Sequence, residues 1–415
     1  MNKGKHLWFT TIFTGLLLAL GMAAPGCQRG KQKDKANLVS RIPEPKKVGT
    51  PVQKVSLNSD FFEGRKVFES KNCNQCHGIF EDTKKSGPHL DSSIFKGSFL
   101  DIFSILWNHA PAMEVHRRKA GLQPPQFSSS ELNQLISFLY LLPYIEQAGD
   151  PKRGEALLQE KNCFTCHSLN GRGKASGIPL DKLATSEQSQ VGLIQRMWNH
   201  GPLMMDQMKS TGTPIPRFYG TDFSDLFLAL KKSKTNTARL SFGVGNADNG
   251  EKAFKAKGCI NCHSIHGQGG HEAPDFGNSN TQSNITTLST QFWNHAVGMQ
   301  AKFKDKKMAW PVFSENEMND LILFLYSINF EDKTGDPVNG EHLFISNKCA
   351  ECHFKSQLTK EKLLGDTRSI NSARFAALLW NHVPSMEASM VSKGVTWPHL
   401  SGKDLRDLQA YLRNQ

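Results

Sequence analysis

Four stretches of the chain repeat apolar residues every three or four positions, which is the spacing of one helix face. In the first of them, Leu132, Leu135, Ile136 and Leu139 fall on one side of a helix. Three of these stretches begin with a serine followed three residues later by an acid, the capping-box pattern: Ser128/Glu131, Ser314/Glu317 and Ser401/Asp404. No segment alternates apolar and polar residues convincingly, as a half-buried strand does. The pattern therefore predicts an all-α protein.

The four amphipathic stretches end four copies of one unit. Cys73, Cys163, Cys259 and Cys349 begin the same motif at intervals of 90, 96 and 90 residues. Each copy has a glycine-containing helix, a cysteine motif, a Gly/Ser/Lys-rich loop, a helix ending in Trp-Asn-His, a loop with methionines and the amphipathic helix. The first helix of each copy is predicted to begin at an N-cap residue: Asp60, Asp150, Asn246 and Asp336.

The start of the chain has the pattern of a secretory signal. Lys3 and Lys5 precede an apolar run over residues 7–24, and Cys27 follows almost directly. This arrangement resembles the bacterial lipobox, in which the cysteine is lipidated and becomes the mature N-terminus. Cleavage after Ala23 and an uncleaved membrane helix are the alternatives. We therefore expect a protein of the periplasm or cell envelope that is attached to a membrane through lipidated Cys27 or an N-terminal helix.

Composition and charge limit the class of protein. The chain has 415 residues, of which 38% are hydrophobic and 21% charged, so it is long enough for several buried cores. The net charge of +12 would favour nucleic acid as a partner, but its location argues against this. Residues 1–58 hold ten lysines and arginines and only two acids, which leaves a net +4 for residues 59–415. We expect no nucleic-acid partner.

These observations divide the chain into six predicted segments. An export peptide is expected first, then a basic flexible linker and four helical domains: 1–27, 28–58, 59–146, 147–240, 241–333 and 334–415. The domains are called units 1 to 4 below. Because the connections between units are short, we expect successive units to lie close together.

Each unit contains the sequence Cys-x-x-Cys-His, the signature of covalent haem c attachment. The cysteines are expected to form thioether bonds with the haem vinyl groups: Cys73, Cys76, Cys163, Cys166, Cys259, Cys262, Cys349 and Cys352. The adjacent histidine is placed to ligate the iron as the proximal ligand: His77, His167, His263 and His353. The alternatives are less suitable, since zinc needs four ligands per site and a redox-active cysteine pair needs no histidine each time.

With these motifs, residues 59–415 resemble a tetrahaem cytochrome c made of four tandem class I cytochrome c domains. The resemblance implies that a loop proline carbonyl accepts a hydrogen bond from each proximal histidine. Pro88, Pro179 and Pro274 stand at the matching positions, and unit 4 has no proline there. His353 is therefore expected to be oriented differently.

Two residue types are candidates for the second axial ligand, because every unit contains Trp-Asn-His-x-x-x-Met. Proline follows the histidine in three units and should end the helix, releasing the methionine into a loop as in the class I family. Methionine is therefore the predicted ligand: Met113, Met204, Met299 and Met386. The alternative is the histidine of the same motif: His109, His200, His295 and His382. The Trp and Asn are interpreted as haem-pocket wall and hydrogen-bond donors, or as core.

An iron with both axial positions filled binds no substrate, so the chemistry left to it is one-electron transfer. The sequence therefore predicts a carrier of electrons between redox proteins of a respiratory chain outside the cytoplasm, and not an enzyme. One alternative is a haem enzyme or oxidoreductase subunit with one open site, for which unit 4 is the candidate. The other is a subunit of an extracellular conducting filament.

Overall fold

The computed structural model of the chain describes residues 57–79, 85–90, 95–142, 149–183, 189–231, 245–278, 284–353 and 370–414. The predicted export peptide and all but the last two residues of the predicted linker lie outside these ranges. Within them, no helix combines the length and the apolar character that crossing a membrane requires.

The described residues are mostly helical, as predicted. In chain order the helices α1 to α13 are Leu57–Ser70, Phe99–Lys119, Ser129–Leu141, Pro151–Glu160, Gln190–Thr211, Asp222–Leu230, Ala247–Ala256, Ile285–Asp305, Glu315–Ser327, Pro337–Ser346, Cys349–His353, Ser372–Ser392 and Gly402–Arg413. Short 3-10 helices cover Cys73–Gln75, Cys163–Thr165, Leu180–Leu183 and Cys259–Asn261. Two antiparallel ladders, which the sequence did not predict, pair β1 with β2 and β3 with β4: Ser168–Leu169, Arg172–Gly173, Ser264–Ile265 and Gln268–Gly269.

Side-chain caps begin these helices where the sequence predicted most of them. All three predicted capping boxes are present, and Asp150, Asn246 and Asp336 are N-caps. The prediction for Asp60 was wrong, because α1 already begins at Leu57 and includes that residue. An additional capping box, which we did not predict, joins Ser98 and Asp101 at the start of α2.

A glycine in the first helix of each unit allows that helix to cross the last helix in backbone contact. A Cβ atom added to Gly250 of α7 would lie 2.0 Å from the carbonyl oxygen of Asp320 in α9. The equivalent glycines have the same 2.0 Å approach to a carbonyl oxygen of their own last helix: Gly64, Gly154 and Gly340. Only glycine fits at such a crossing.

The units associate in a nested order. Helices α2 and α3 of unit 1 pack against α12 and α13 of unit 4, while α5 and α6 of unit 2 pack against α8 and α9 of unit 3. Adjacency in the chain therefore does not set the pairing: unit 1 lies against unit 4, at the opposite end of the described chain. Of the successive units, units 2 and 3 form such a pair, whereas units 3 and 4 meet at the ion pair of Asp332 with Arg406, 3.6 Å apart.

The Trp and Asn of the Trp-Asn-His sequence join the two units of each pair. In unit 2, the Trp198 indole N–H donates to the carbonyl of Pro311 at 2.7 Å. The Asn199 amide donates to the Phe313 carbonyl at 2.7 Å and accepts from the Phe313 N–H at 3.0 Å. We call this set of three hydrogen bonds the Trp–Asn contact. It recurs from unit 3 to unit 2, from unit 1 to unit 4 and from unit 4 to unit 1: Trp293/Asn294, Trp107/Asn108 and Trp380/Asn381.

Two further indoles donate hydrogen bonds across the pairs, each to a helix carbonyl that a proline leaves without its usual N–H donor. Pro111 lies inside α2 and has no N–H for the carbonyl of Trp107, four residues earlier. The Trp397 indole of unit 4 donates to that carbonyl at 3.2 Å, with its ring 4.5 Å from the Trp107 ring. Pro202 of α5 leaves the Trp198 carbonyl open in the same way, and Trp310 of unit 3 donates to it at 3.1 Å.

The two pairs also contact each other, so the described residues of the four units form one compact unit with a continuous hydrophobic core. Tyr140 of unit 1 and Tyr326 of unit 3 are buried, and each hydroxyl donates to the backbone carbonyl of the other, at 2.5 and 3.0 Å. The Phe330 ring lies 4.4 Å from the Tyr140 ring. Buried residues of all four units therefore belong to one core.

Replacing Gly250 with alanine tests the helix crossing. The added methyl group would collide with the backbone of α9, so we expect Gly250→Ala to lower the free energy of unfolding by at least about 2 kcal/mol, seen as a lower urea midpoint. Lys252→Ala, at an exposed position of the same helix, is the control and should change it by less than about 0.5 kcal/mol. Equal midpoints for the two variants would show that α7 and α9 do not cross this closely.

Candidate functional site

A left-handed residue turns the chain from the first helix of each unit into the cysteine motif. Asn72, Asn162, Gly258 and Lys348 directly precede the first cysteine and have φ angles of 64°, 60°, 80° and 61°. Glycine and asparagine adopt this conformation readily, whereas lysine adopts it at a cost. The local sequence therefore specifies the turn in three units, and in unit 4 the surrounding structure imposes it.

The cysteine motif that follows forms a single short helical turn, which brings the backbone of the histidine to that of the first cysteine. The His77 N–H donates to the Cys73 carbonyl at 2.9 Å, and the motifs of units 2 and 3 repeat the bond at 2.9 and 3.0 Å. In unit 4 the whole motif is the α-helix α11. The eight described cysteines of these motifs form no disulfide with one another, and they are partly exposed. Each of the four units thus holds two thiols and an imidazole close together in one short helical segment.

Backbone carbonyls orient the proximal histidines. The His77 Nδ1 lies 2.9 Å from the Pro88 carbonyl oxygen, and the His263 Nδ1 lies 3.0 Å from that of Pro274, as predicted. In unit 2 the prediction of Pro179 was wrong by one residue, because the His167 Nδ1 bonds the Ile178 carbonyl at 2.8 Å. The structure places this acceptor 11 residues after the histidine whether or not the residue is proline. The corresponding segment of unit 4 lies outside the described residues.

A cavity of about 650 Å³ lies between the cysteine motif and α2 in unit 1. Cys73, Cys76 and His77 line one side, and His109 and Met113 line the other. The volume is in the range of cofactor sites. The cavity therefore contains both predicted cysteines, the predicted proximal histidine and both candidates for the second axial ligand.

The histidine of each Trp-Asn-His sequence faces the proximal histidine of its own unit. The ring centres of His77 and His109 are 6.5 Å apart, and those of His167 and His200 are 6.4 Å apart. The pairs of units 3 and 4 are 6.2 and 6.1 Å apart: His263/His295 and His353/His382. This spacing is nearly constant although the loops between the two histidines differ in length.

Burial favours the neutral imidazole in each of these pairs. It lowers the pKa of His109 and of His200, and the neighbouring His77 or His167 lowers it further. Burial likewise lowers the pKa of His263 and of His353, in each case with a contribution from the facing histidine. Neutral imidazole is the form that binds a metal ion.

The methionines do not lie in loops. The prolines that should have ended the helix are inside it, so α2, α5 and α12 continue through Pro111, Pro202 and Pro384 to Met113, Met204 and Met386. Met299 is likewise inside α8. Each methionine is four residues after its histidine and on the same side of the helix. The prolines therefore release none of these methionines into a loop. Met113 nevertheless lines the unit 1 cavity, and methionine as the second ligand stays a prediction.

The electrostatics of the cysteines argue against a redox-active pair. Burial raises the pKa of the Cys73, Cys163, Cys259 and Cys349 thiols to about 11. An attacking thiol needs the opposite shift, because the thiolate is the nucleophile. Over the described ranges, no group of three or more His, Cys, Asp or Glu side chains is arranged to hold a metal ion, so the zinc alternative gains no support.

The sequence-based interpretation missed the main role of the Trp and Asn that recur in all four units. The Trp and Asn were interpreted as pocket wall or core, but their hydrogen bonds cross between units. Two further histidines, His116 and His399, also line the unit 1 cavity. One sequence feature could have indicated the pairing. Unit 3 contains Trp310 and its partner, unit 2, contains Pro202; unit 4 contains Trp397 and its partner, unit 1, contains Pro111.

The model of the cytochrome c family matches the chain twice, over residues 151–224 and 247–329. These segments fall in units 2 and 3 and contain their cysteine motifs. Residues 151–224 and 247–329 therefore form two domains of the cytochrome c family, whose members bind covalent haem c, transfer electrons and are typically extracytoplasmic. Neither the search of curated proteins nor the search of solved structures returned a match.

Proposed function

We propose that the chain is a tetrahaem electron carrier with one covalent haem c in each of the four units, whose boundaries are those predicted from the sequence. The family match supports two of these sites directly. The observation that carries the proposal to units 1 and 4 is the recurrence of the same construction: a left-handed residue, Cys-x-x-Cys-His, and a second histidine about 6 Å away across the site.

The cysteines of each motif would hold the haem by two thioether bonds, and the following histidine would ligate its iron. The Pro88, Ile178 and Pro274 carbonyls accept from the Nδ1 atoms of three of these histidines, which leaves Nε2 for the metal. Such a haem supplies one-electron Fe(II)/Fe(III) exchange when bound.

Distances support histidine as the second axial ligand. A transition metal binds an imidazole nitrogen at about 2 Å, which places the ring centre roughly 3 Å from the metal. Two imidazoles on opposite sides of one iron therefore have centres roughly 6 Å apart, close to the 6.1–6.5 Å of the four facing pairs. We propose bis-histidine ligation by His109, His200, His295 and His382, with the methionines four residues later packing beside the haem.

With both axial positions filled by imidazole, the iron has no site for a substrate. The protein would then be a carrier and not an enzyme, and its partners would be redox proteins of a respiratory chain outside the cytoplasm. The facing pair of unit 4, at 6.1 Å, is like the others, so the geometry gives no reason to assign an open site there.

Haem content tests the number of sites. Protein produced with a working haem-attachment system should have the mass of the processed chain plus four haems. Replacing both Cys349 and Cys352 with alanine should remove one haem, and replacing Cys73 and Cys76 should remove another. A mass increase of two haems, unchanged by either double substitution, would restrict haem binding to units 2 and 3.

A pair of substitutions in unit 2 tests the second ligand. We expect His200→Ala to convert one low-spin iron to another ligation state, seen by electron paramagnetic resonance of the oxidised protein, and to move one reduction potential. Met204→Ala should leave the ligation unchanged. If Met204→Ala instead removes a sulfur-to-iron charge-transfer band and lowers one potential, the methionine predicted from sequence is the ligand.

Replacement of Cys27 tests membrane attachment, which we propose from the sequence alone. If Cys27 is lipidated, Cys27→Ser should release the haem protein from the membrane fraction, because the acyl chains supply the attachment. Unchanged membrane association of the variant would favour the uncleaved N-terminal helix.

A further inference from the structure

Residues of unit 4 close the candidate haem site of unit 1. The cavity around Cys73, Cys76 and His77 is also lined by four residues of unit 4: Trp380, Val383, Pro384 and His399. Among the described residues, none of this lining comes from unit 2, the next unit in the sequence. A haem in unit 1 would therefore border unit 4 directly.

The residues that border unit 1 also belong to the site of unit 4. Trp380 lies two residues before His382 on α12, and Pro384 lies two residues after it. The indole N–H of Trp380 donates to the Pro125 carbonyl at 3.0 Å, and Pro125 itself lines the unit 1 cavity. One helical turn thus connects the wall of the first site to the facing histidine of the fourth.

The contact is reciprocal. Trp107, two residues before His109 on α2, is 1% exposed and donates to the Pro398 carbonyl of unit 4 at 3.0 Å. Its ring is 4.5 Å from the Trp397 ring. The two helices that carry the facing histidines, α2 and α12, also pack on each other in this pair.

Units 2 and 3 are related in the same way. The rings of Trp198 and Trp310 are stacked at 4.5 Å, and the Trp293 indole donates to the Pro216 carbonyl at 2.7 Å. Trp198 and Trp293 each lie two residues before the facing histidine of their own unit. Aromatic side chains thus lie at the contact between units 2 and 3.

We propose that electrons exchange between the haems of units 1 and 4 and between the haems of units 2 and 3, so the route follows the nested pairs and not the order of the chain. In each exchange one Fe(II) is oxidised to Fe(III), the paired Fe(III) is reduced to Fe(II), and a single electron crosses with no bond made or broken. The rate falls steeply with the distance between haem edges, which favours the units in direct contact. This inference rests on the proposed function.

Circular dichroism in the Soret band of the full-length holoprotein measures which haems are close. Two neighbouring haems give a bisignate couplet through coupling of their transition dipoles, and the coupling also falls steeply with distance. Each haem is removed in turn by replacing both cysteines of its motif with alanine, and haem content is checked by mass. Double removals leave the haems of units 1 and 4, of units 2 and 3, of units 1 and 2, or of units 3 and 4.

We expect the chains that keep units 1 and 4, or units 2 and 3, to retain a couplet, and the chains that keep units 1 and 2, or units 3 and 4, to lose it. The opposite pattern would overturn the nested route. Haem content and reversible reduction by dithionite are scored separately. Chains that bind and reduce their haems but show the opposite pattern would contradict only the route, whereas absence of haem would contradict the proposed function.

Substitutions at the Trp–Asn contact give a second test that keeps all eight cysteines. Trp380→Leu should weaken the part of the couplet that disappears when haem 1 is removed. Its matched control, Trp293→Leu, should weaken the part that disappears when haem 2 is removed. If both substitutions weaken the same part, or neither changes the couplet, the contact does not set the pairing of the haems.

Discussion

The position of three consecutive residues on one helix determines both how the units associate and where the second histidine points. Successive residues of an α-helix are about 100° apart around its axis. In the second helix of each unit, Trp and Asn therefore face the neighbouring unit, and the following histidine faces the cysteine motif. The Trp–Asn contact is buried or half-buried in each unit and is reciprocal, so it fixes the rotation of the helix and with it the direction of the histidine.

The other side of each site depends on backbone geometry instead. The glycine crossing, with a carbonyl oxygen 2.0 Å from where a Cβ would lie, fixes the first helix against the last one. The left-handed residue then turns the chain into the cysteine motif, and a backbone carbonyl orients the proximal histidine. The two histidines of a site are thus held by independent parts of the fold, yet their separation varies only from 6.1 to 6.5 Å.

Sequence reasoning predicted what is local. The repeat, the helix caps at Asp150 and Ser128 and the cysteine motifs follow from patterns within a few residues. It could not predict the nested pairing, because the hydrogen bond from Trp107 to Pro398 joins residues 291 positions apart. It also misjudged Pro111: a proline in a helix leaves one carbonyl without its usual donor, and here the Trp397 indole of another unit supplies the bond.

Near-infrared magnetic circular dichroism of the unaltered, fully oxidised protein tests the central claim most directly, that the histidine oriented by the Trp–Asn contact is the second ligand in every unit. The energy of the ligand-to-iron band differs between bis-histidine and histidine/methionine haems, and its intensity is proportional to their number. We predict one band at the bis-histidine position with the intensity of four haems. A band at the histidine/methionine position with the intensity of all four would contradict the account.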